Sequence, residues 1–239
     1  MKGCFFMERK KFVNSLSDTV ANQIINYIQE NKLVPEDKLP TEYELANMLA
    51  VSRSTIREAF KILVSRNILE SRQGAGTFIS DKRGIPTDPL GLTFIGDSSS
   101  LALDLINVRL MFEPEIAALA TINATKENLQ AIEDACTAAE VAINAESSYY
   151  PEDILFHKAI ADASGNLVVQ NLVPIIHSSI KQSIAATSDA LRGQTLLQHR
   201  KITNCIKAGD FQGARYAMIL HLNANRDIVK DTSKASSST

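Results

Sequence analysis

The chain has 239 residues, 45% of them hydrophobic, and a formal charge of −2; this is more length than one small module needs, so two domains are expected. No apolar run is long enough to span a bilayer, and Cys4-Phe5-Phe6-Met7 is too short for a leader and runs into Glu8-Arg9-Lys10-Lys11. Cys4, Cys136 and Cys205 show no paired spacing, so the expectation is a reduced, cytoplasmic protein with no membrane partner, its two later cysteines serving as core packing.

After an N-terminal extension over 1–15, the densest pattern runs from Leu39 to Ser80, LPTEYELANMLAVSRSTIREAFKILVSRNILESRQGAGTFIS. Thr41 and Glu44 form a capping box, in which hydroxyl and carboxylate satisfy the free amides of a helix start. Leu45, Met48 and Leu49 supply an apolar stripe at i, i+3, i+4. Ala50-Val51 forms a turn, and Ser52 caps a second helix. On that helix Ile56, Phe60 and Leu63 face the core, while Arg53, Arg57 and Lys61 share an outward face. Such a face, with Ser52, Ser54 and Thr55 at its start, suits entry into a major groove: arginines reach guanine edges or phosphates, and hydroxyls and helix-start amides hold phosphates. Two short strands then flank Gly74-Ala75-Gly76, where a tight hairpin tip needs positive φ. Helix, turn, helix and hairpin in this order predict a winged helix-turn-helix over 16–81. Residues 1–85 hold 13 Lys and Arg against 10 Asp and Glu, and the rest of the chain holds 12 against 17, so the basic half is the one expected to approach phosphate.

Residues 82–100 form a linker and connecting segment rich in breakers, with Gly84, Pro86, Pro89 and Gly91 followed by a polar patch at Gly96-Asp97-Ser98-Ser99-Ser100. From 101 to 230 the periodicity is helical throughout and predicts an all-α bundle. Leu105, Phe112, Ile116 and Leu119 recur at helical spacing, with a kink expected at Pro114. Further helices are expected over 126–146, 151–164, 167–187, 191–208 and 210–230, with breaks at Gly165-Asn166 and Gly209-Asp210. The Ser-rich tail, within 231–239, is expected to be disordered. The predicted fold class is therefore mainly α: an N-terminal winged helix-turn-helix plus a C-terminal helical bundle.

The segments LPTEYELA, VSRSTIREAFKIL and GAGTFI resemble the DNA-binding domain of the GntR (gluconate repressor) family. The resemblance implies that Arg53, Ser54, Thr55 and Arg57 meet DNA through the second helix and that Gly76 lies at the wing. With Thr41, Ser52 and Ala75 these make the expected DNA-binding set. Tyr43 stands where the family usually has an operator-contacting arginine, and Asn67 where a glycine usually ends the recognition helix; Asn tolerates the left-handed conformation required there.

Asp153 and His157, four apart, share one helix face, and His199 and His221 fall on the inward side of the last two helices. One carboxylate and three imidazoles can hold a divalent cation, zinc ahead of nickel or manganese, and leave positions open for water or a ligand. D-x-x-x-H followed by the later histidines resembles the FCD effector domain of the FadR branch of the same family. That resemblance implies that Asp153, His157, His199 and His221 bind metal and that the metal helps seat a small carboxylate. His177 has no ligand role in that pattern and lines the pocket. Arg109 is the candidate partner for the effector's anionic group; the alternative is an intramolecular pair with Glu113 at i+4.

The implied function is that of a ligand-responsive transcriptional regulator, a repressor, binding a pseudo-palindromic double-stranded operator as a homodimer and sensing a small organic or sugar acid. No G-x-S-x-G, Walker-type loop or dinucleotide fingerprint is present, so an enzyme is not expected. The alternatives are a metal-dependent enzyme of small carboxylates fused to a DNA-binding domain, and a ligand-independent architectural protein.

Overall fold

A computed structural model describes residues 15–82, 84–86, 88–92, 95, 99–179 and 188–236. These divide between Pro89 and Leu90 into two compact units. The expected N-terminal extension, except Ser15, lies outside the described residues, as do 180–187 and the last three residues.

The first unit contains α1 (Leu16–Glu30), α2 (Glu42–Met48), α3 (Arg53–Ser65), β1 (Leu69–Arg72) and β2 (Gly76–Ile79). Each helix start is specified by neighbours. Ser15 and Asp18 close a capping box on α1, Thr41 and Glu44 close one on α2, and Ser52 accepts from the Thr55 amide at the start of α3. Val20, Ala21 and Ile24 of α1 join Leu45, Ile56, Ala59, Phe60 and Leu63 in a single core that the hairpin residues Leu69 and Ile79 complete. The strands pair antiparallel, with Leu69 opposite Ile79 and Arg72 opposite Gly76. An added bridge joins Lys38 to Phe78, so the segment before α2 edges the wing. Asn67 takes φ 53°, the left-handed conformation that ends α3. Helix α1 is not among the elements expected from the sequence, and Met48 departs from its expected place on the buried stripe. Met48 is 55% exposed, because the short α2 presents only Leu45 and Ala46 to the core.

Six helices form the second unit among the described residues: α4 (Ser99–Asn123), α5 (Lys126–Asn144), α6 (Tyr150–Ala163), α7 (Leu167–Ser179), α8 (Ser188–Lys207) and α9 (Phe211–Ser236). Their shared core holds Ile116, Ile132, Cys136, Phe156, Ile160, Val173, Ile202, Cys205, Met218 and Leu222, so Cys136 and Cys205 pack as predicted. Gly165 and Gly209 adopt positive φ at the breaks after α6 and α8. The α4 assignment continues through Pro114, which removes one i→i−4 bond without ending the helix. The buried stripe of α4 runs through Leu105, Ile106, Arg109, Glu113, Ile116 and Ala120, while Leu119 is 37% exposed, one position out of phase with it. The final helix continues to Ser236 rather than stopping at 230, so the first part of the expected disordered tail is helical. Val229 remains buried against Ala102 and Ile106, which ties the end of α9 to α4.

Candidate functional site

Two constellations stand out, one in each unit. In the first unit, Arg53 and Arg57 project from α3 with side chains 62% and 57% exposed. Ser52 Oγ lies 2.7 Å from Ser54 Oγ and 2.8 Å from Thr55 Oγ1, so the three hydroxyls cluster where the free amides of α3 begin. Thr41 Oγ1 donates to Glu44 Oε2 at 2.8 Å and so carries the capping box of α2. Ala75 and Gly76 are exposed at the hairpin tip, where the Ala75 amide donates to the Arg72 carbonyl at 3.0 Å. Two neighbours are not among the residues expected from the sequence. Glu42 accepts from Arg57 Nη2 at 3.0 Å. Lys38 lies so close beside Gly76 that a Cβ there would sit 2.7 Å from Lys38 Cε. Lys61, counted on the basic face, is paired with Glu58 at 2.8 Å.

The second constellation is buried. Asp153 and His157 of α6, His199 of α8 and His221 of α9 each offer a ligand atom, all within 4.8 Å of one another. His199 Nε2 is 3.2 Å from Asp153 Oδ1, and His157 Nε2 is 3.2 Å from His221 Nε2. Phe156 stacks on the His199 ring, centroids 4.1 Å apart, and fixes its plane.

Glu113 organises the surroundings. Its carboxylate accepts from Arg109 Nε at 2.7 Å and His177 Nε2 at 3.0 Å, and its other oxygen is 2.7 Å from His157 Nδ1. A proton on Nδ1 satisfies that contact and leaves His157 Nε2 with its lone pair directed at the cluster. His221 Nδ1 is 3.2 Å from Gln198 Oε1, which orients the second imidazole the same way. Two facing lone pairs repel, and a shared cation relieves the repulsion. Both ring nitrogens of His199 are buried without a hydrogen-bond partner, since the approach of Nε2 to Asp153 is close but not aligned for one.

Protonation states agree. Burial pushes His157 down to about 4 despite the opposing pull of Glu113. Burial, followed by the charges of its imidazole neighbours, holds His221 well below the ordinary histidine range. Burial alone would raise the Asp153 carboxyl, but the close approach of His199 Nε2, followed by the charges of the facing imidazoles, outweighs it and lowers it. Glu113 is likewise lowered, because Arg109 and the two imidazoles more than offset its burial. His157 and His221 held neutral beside an ionised Asp153 match the state a divalent cation requires, so the residues fit one.

Arg109 is fully buried and makes the intramolecular pair that the sequence offered as the alternative. It pairs with Glu113, and its Nη2 lies 3.0 Å from His157 Nε2, which brings it to the ligand cluster. Its Nη1 is buried with no hydrogen-bond partner. His177 is drawn in through Glu113, and Asn225 Nδ2 lies 3.5 Å from His221 Nε2. The sequence offers Glu113 only as a partner for Arg109 at i+4. Its phase on the buried stripe of α4, between Ile106 and Ile116, was the available signal.

A winged helix-turn-helix joined to a helical unit with a buried polar cluster defines a ligand-sensing class of DNA-binding regulator. Residues 16–79 match the bacterial regulatory proteins of the gntR family, and residues 104–224 match the FCD domain. The chain belongs to the GntR family and carries an FCD domain, a domain type that binds metal. It is 34% identical over 222 residues to a candidate regulator of the L-lactate dehydrogenase operon from Escherichia coli, covering 87% of this chain and 84% of that one. It is 28% identical to the galactonate operon transcriptional repressor of Escherichia coli, covering 89% and 94%. A solved Streptococcus agalactiae GntR structure superposes with a TM-score of 0.79 at 38% identity, covering 88% of this chain and 99% of that one. These relatives are transcriptional regulators, not enzymes. No helix among the described residues is long and apolar enough to cross a membrane.

Proposed function

We propose that this regulator is a cytoplasmic repressor that binds a pseudo-palindromic operator as a homodimer and responds to a small organic or sugar acid. Arg53, Ser54, Thr55 and Arg57 enter the major groove, Ser52 and Thr41 lie against phosphates at helix starts, and Ala75 and Gly76 form the wing tip. Asp153, His157, His199 and His221 hold a divalent cation, zinc, nickel or manganese, which supplies a Lewis-acid anchor for a carboxylate.

The observation that carries the effector assignment is Arg109: a fully buried guanidinium with Nη1 unpartnered, beside the ligand cluster. With neutral imidazoles, Asp153, Glu113, Arg109 and a divalent cation leave one formal positive charge over, which a monocarboxylate neutralises. Two neighbouring cations also repel in a buried site unless an anion lies between them. Relatives named for the L-lactate dehydrogenase and galactonate operons support a hydroxy acid. The dimer is supported by an exposed apolar row on α4, formed by Val108, Met111, Leu119 and Ile122.

Effector and DNA then change each other's affinity by the same factor. A thermal-shift screen of the metal-loaded chain against lactate, galactonate and related acids is the test. A true effector raises the melting temperature with concentration and alters DNA binding. Arg109→Ala abolishes that response while DNA binding persists; a normal response from this variant removes Arg109 from the pocket.

A further inference from the structure

We propose that Glu42 is a positioning residue for DNA recognition, aiming the Arg57 guanidinium and restraining both exposed arginines of α3 from indiscriminate phosphate contact. Glu42 is the first residue of α2, and Arg57 lies on the second turn of α3. Arg57 Nη2 donates to Glu42 Oε2 at 3.0 Å and Arg57 Nε approaches Oε1 at 3.4 Å, a two-point pairing that sets the plane of the guanidinium as well as its place. Arg53 Nη2 stands 4.0 Å from the same Oε2. The anion is tucked in, 29% exposed, while both cations stay open to a partner.

Fold stability does not call for this arrangement. An ion pair between exposed groups contributes little, and the start of α2 is already closed by Thr41 and Glu44. The groove between α3 and the wing is lined by Glu42, Arg57, Phe60, Lys61, Ser71 and Thr77, so the carboxylate lies on the face where DNA is proposed to dock. Arg57 has five N–H donors. The two-point pairing engages its Nε edge and leaves the opposite edge to read a base. A carboxylate on this face also opposes phosphate, so it penalises docking that is not repaid by base contacts.

The inference rests on the reading of Arg57 as a base reader, and the test separates the two. The full-length wild type, Glu42→Gln, Glu42→Asp and Arg57→Ala are each used to select binding sites from a randomised duplex library. Each is also titrated with a scrambled duplex at several salt concentrations, and folding is checked by circular dichroism. Arg57→Ala is expected to erase preference at one position of each half-site, and Glu42→Gln to flatten that same position. Glu42→Gln also binds the scrambled duplex several-fold tighter, with a log–log salt slope steeper by about 0.9, the value for one further phosphate contact. Glu42→Asp keeps the charge but falls short of the two-point pairing, so it flattens the position without the gain in scrambled-duplex affinity. If Arg57→Ala erases the position while both Glu42 variants leave selectivity and salt slope unchanged, the positioning role is overturned. A lowered melting temperature for Glu42→Gln with no such change overturns it too, in favour of a helix-start role. If Arg57→Ala leaves the selected site intact, the base-reading assignment fails and takes the inference with it.

Discussion

Replacing Glu113 with glutamine tests the buried network at its centre. The carboxylate serves Arg109, His157 and His177 at 2.7, 2.7 and 3.0 Å, and it is almost fully enclosed. The amide keeps the volume, but it loses the charge that balances Arg109 and turns one acceptor into a donor facing other donors. Removing one partner of a buried pair leaves the other charge uncompensated, at a cost of about 3–5 kcal/mol. For a unit of this size each kcal/mol shifts the melting temperature by roughly 2–4 °C, so the metal-free variant should melt roughly 6–20 °C lower. Metal affinity should also fall by about 10–100-fold, since His157 loses the acceptor that fixes its ring. Scanning calorimetry of the metal-free chain and competition titration with a zinc chelator measure the two effects. A variant that melts within a degree or two of the parent and retains metal equally well would refute the role given to Glu113.

Three other outcomes follow from the same geometry. His199→Ala combined with His221→Ala should lose the bound metal by elemental analysis; full retention would mean that the ligands lie elsewhere. In the metal-free chain, His157 titrates near 4 when folded against 6.5 for an ordinary histidine, so the unfolded state takes up protons that the fold refuses. Stability should therefore be complete above about pH 6.5 and decline as pH falls toward 4, whereas a melting temperature that is flat between pH 7.5 and 5 would contradict the buried neutral imidazole. Gly76→Ala, at φ 122° beside Lys38, should destabilise the first unit by about 1–3 kcal/mol in urea unfolding, chiefly through the backbone because the lysine end can move aside; an unchanged midpoint would argue against that strain.

Local signals proved the most readable. The capping residues Thr41, Glu44 and Ser52, the alternation of core and basic positions on α3 and the glycine hairpin each depend on neighbours a few residues apart, and each is found where the spacing puts it. The four candidate ligands come together because α6 brings two polar residues, and α8 and α9 one each, to their buried stripes. What spacing could not provide was partnership across the fold. Glu113 meets His177 from another helix, Gln198 of α8 meets His221 of α9, and Glu42 meets Arg57 across the turn. Met48 and Leu119 went astray for a related reason: a short helix and a phase error of one residue both turn an apolar side chain outward.

The self-contained helix starts of α1, α2 and α3 bear on how the molecule is made. Contacts three or four residues apart close early, and a unit rich in them folds fast. Because synthesis runs from the N-terminus at about 5–20 residues per second, the first unit should fold on the ribosome while the helices of the second are still being translated. A newborn chain would then carry its finished N-terminal unit before the buried cluster of the second exists.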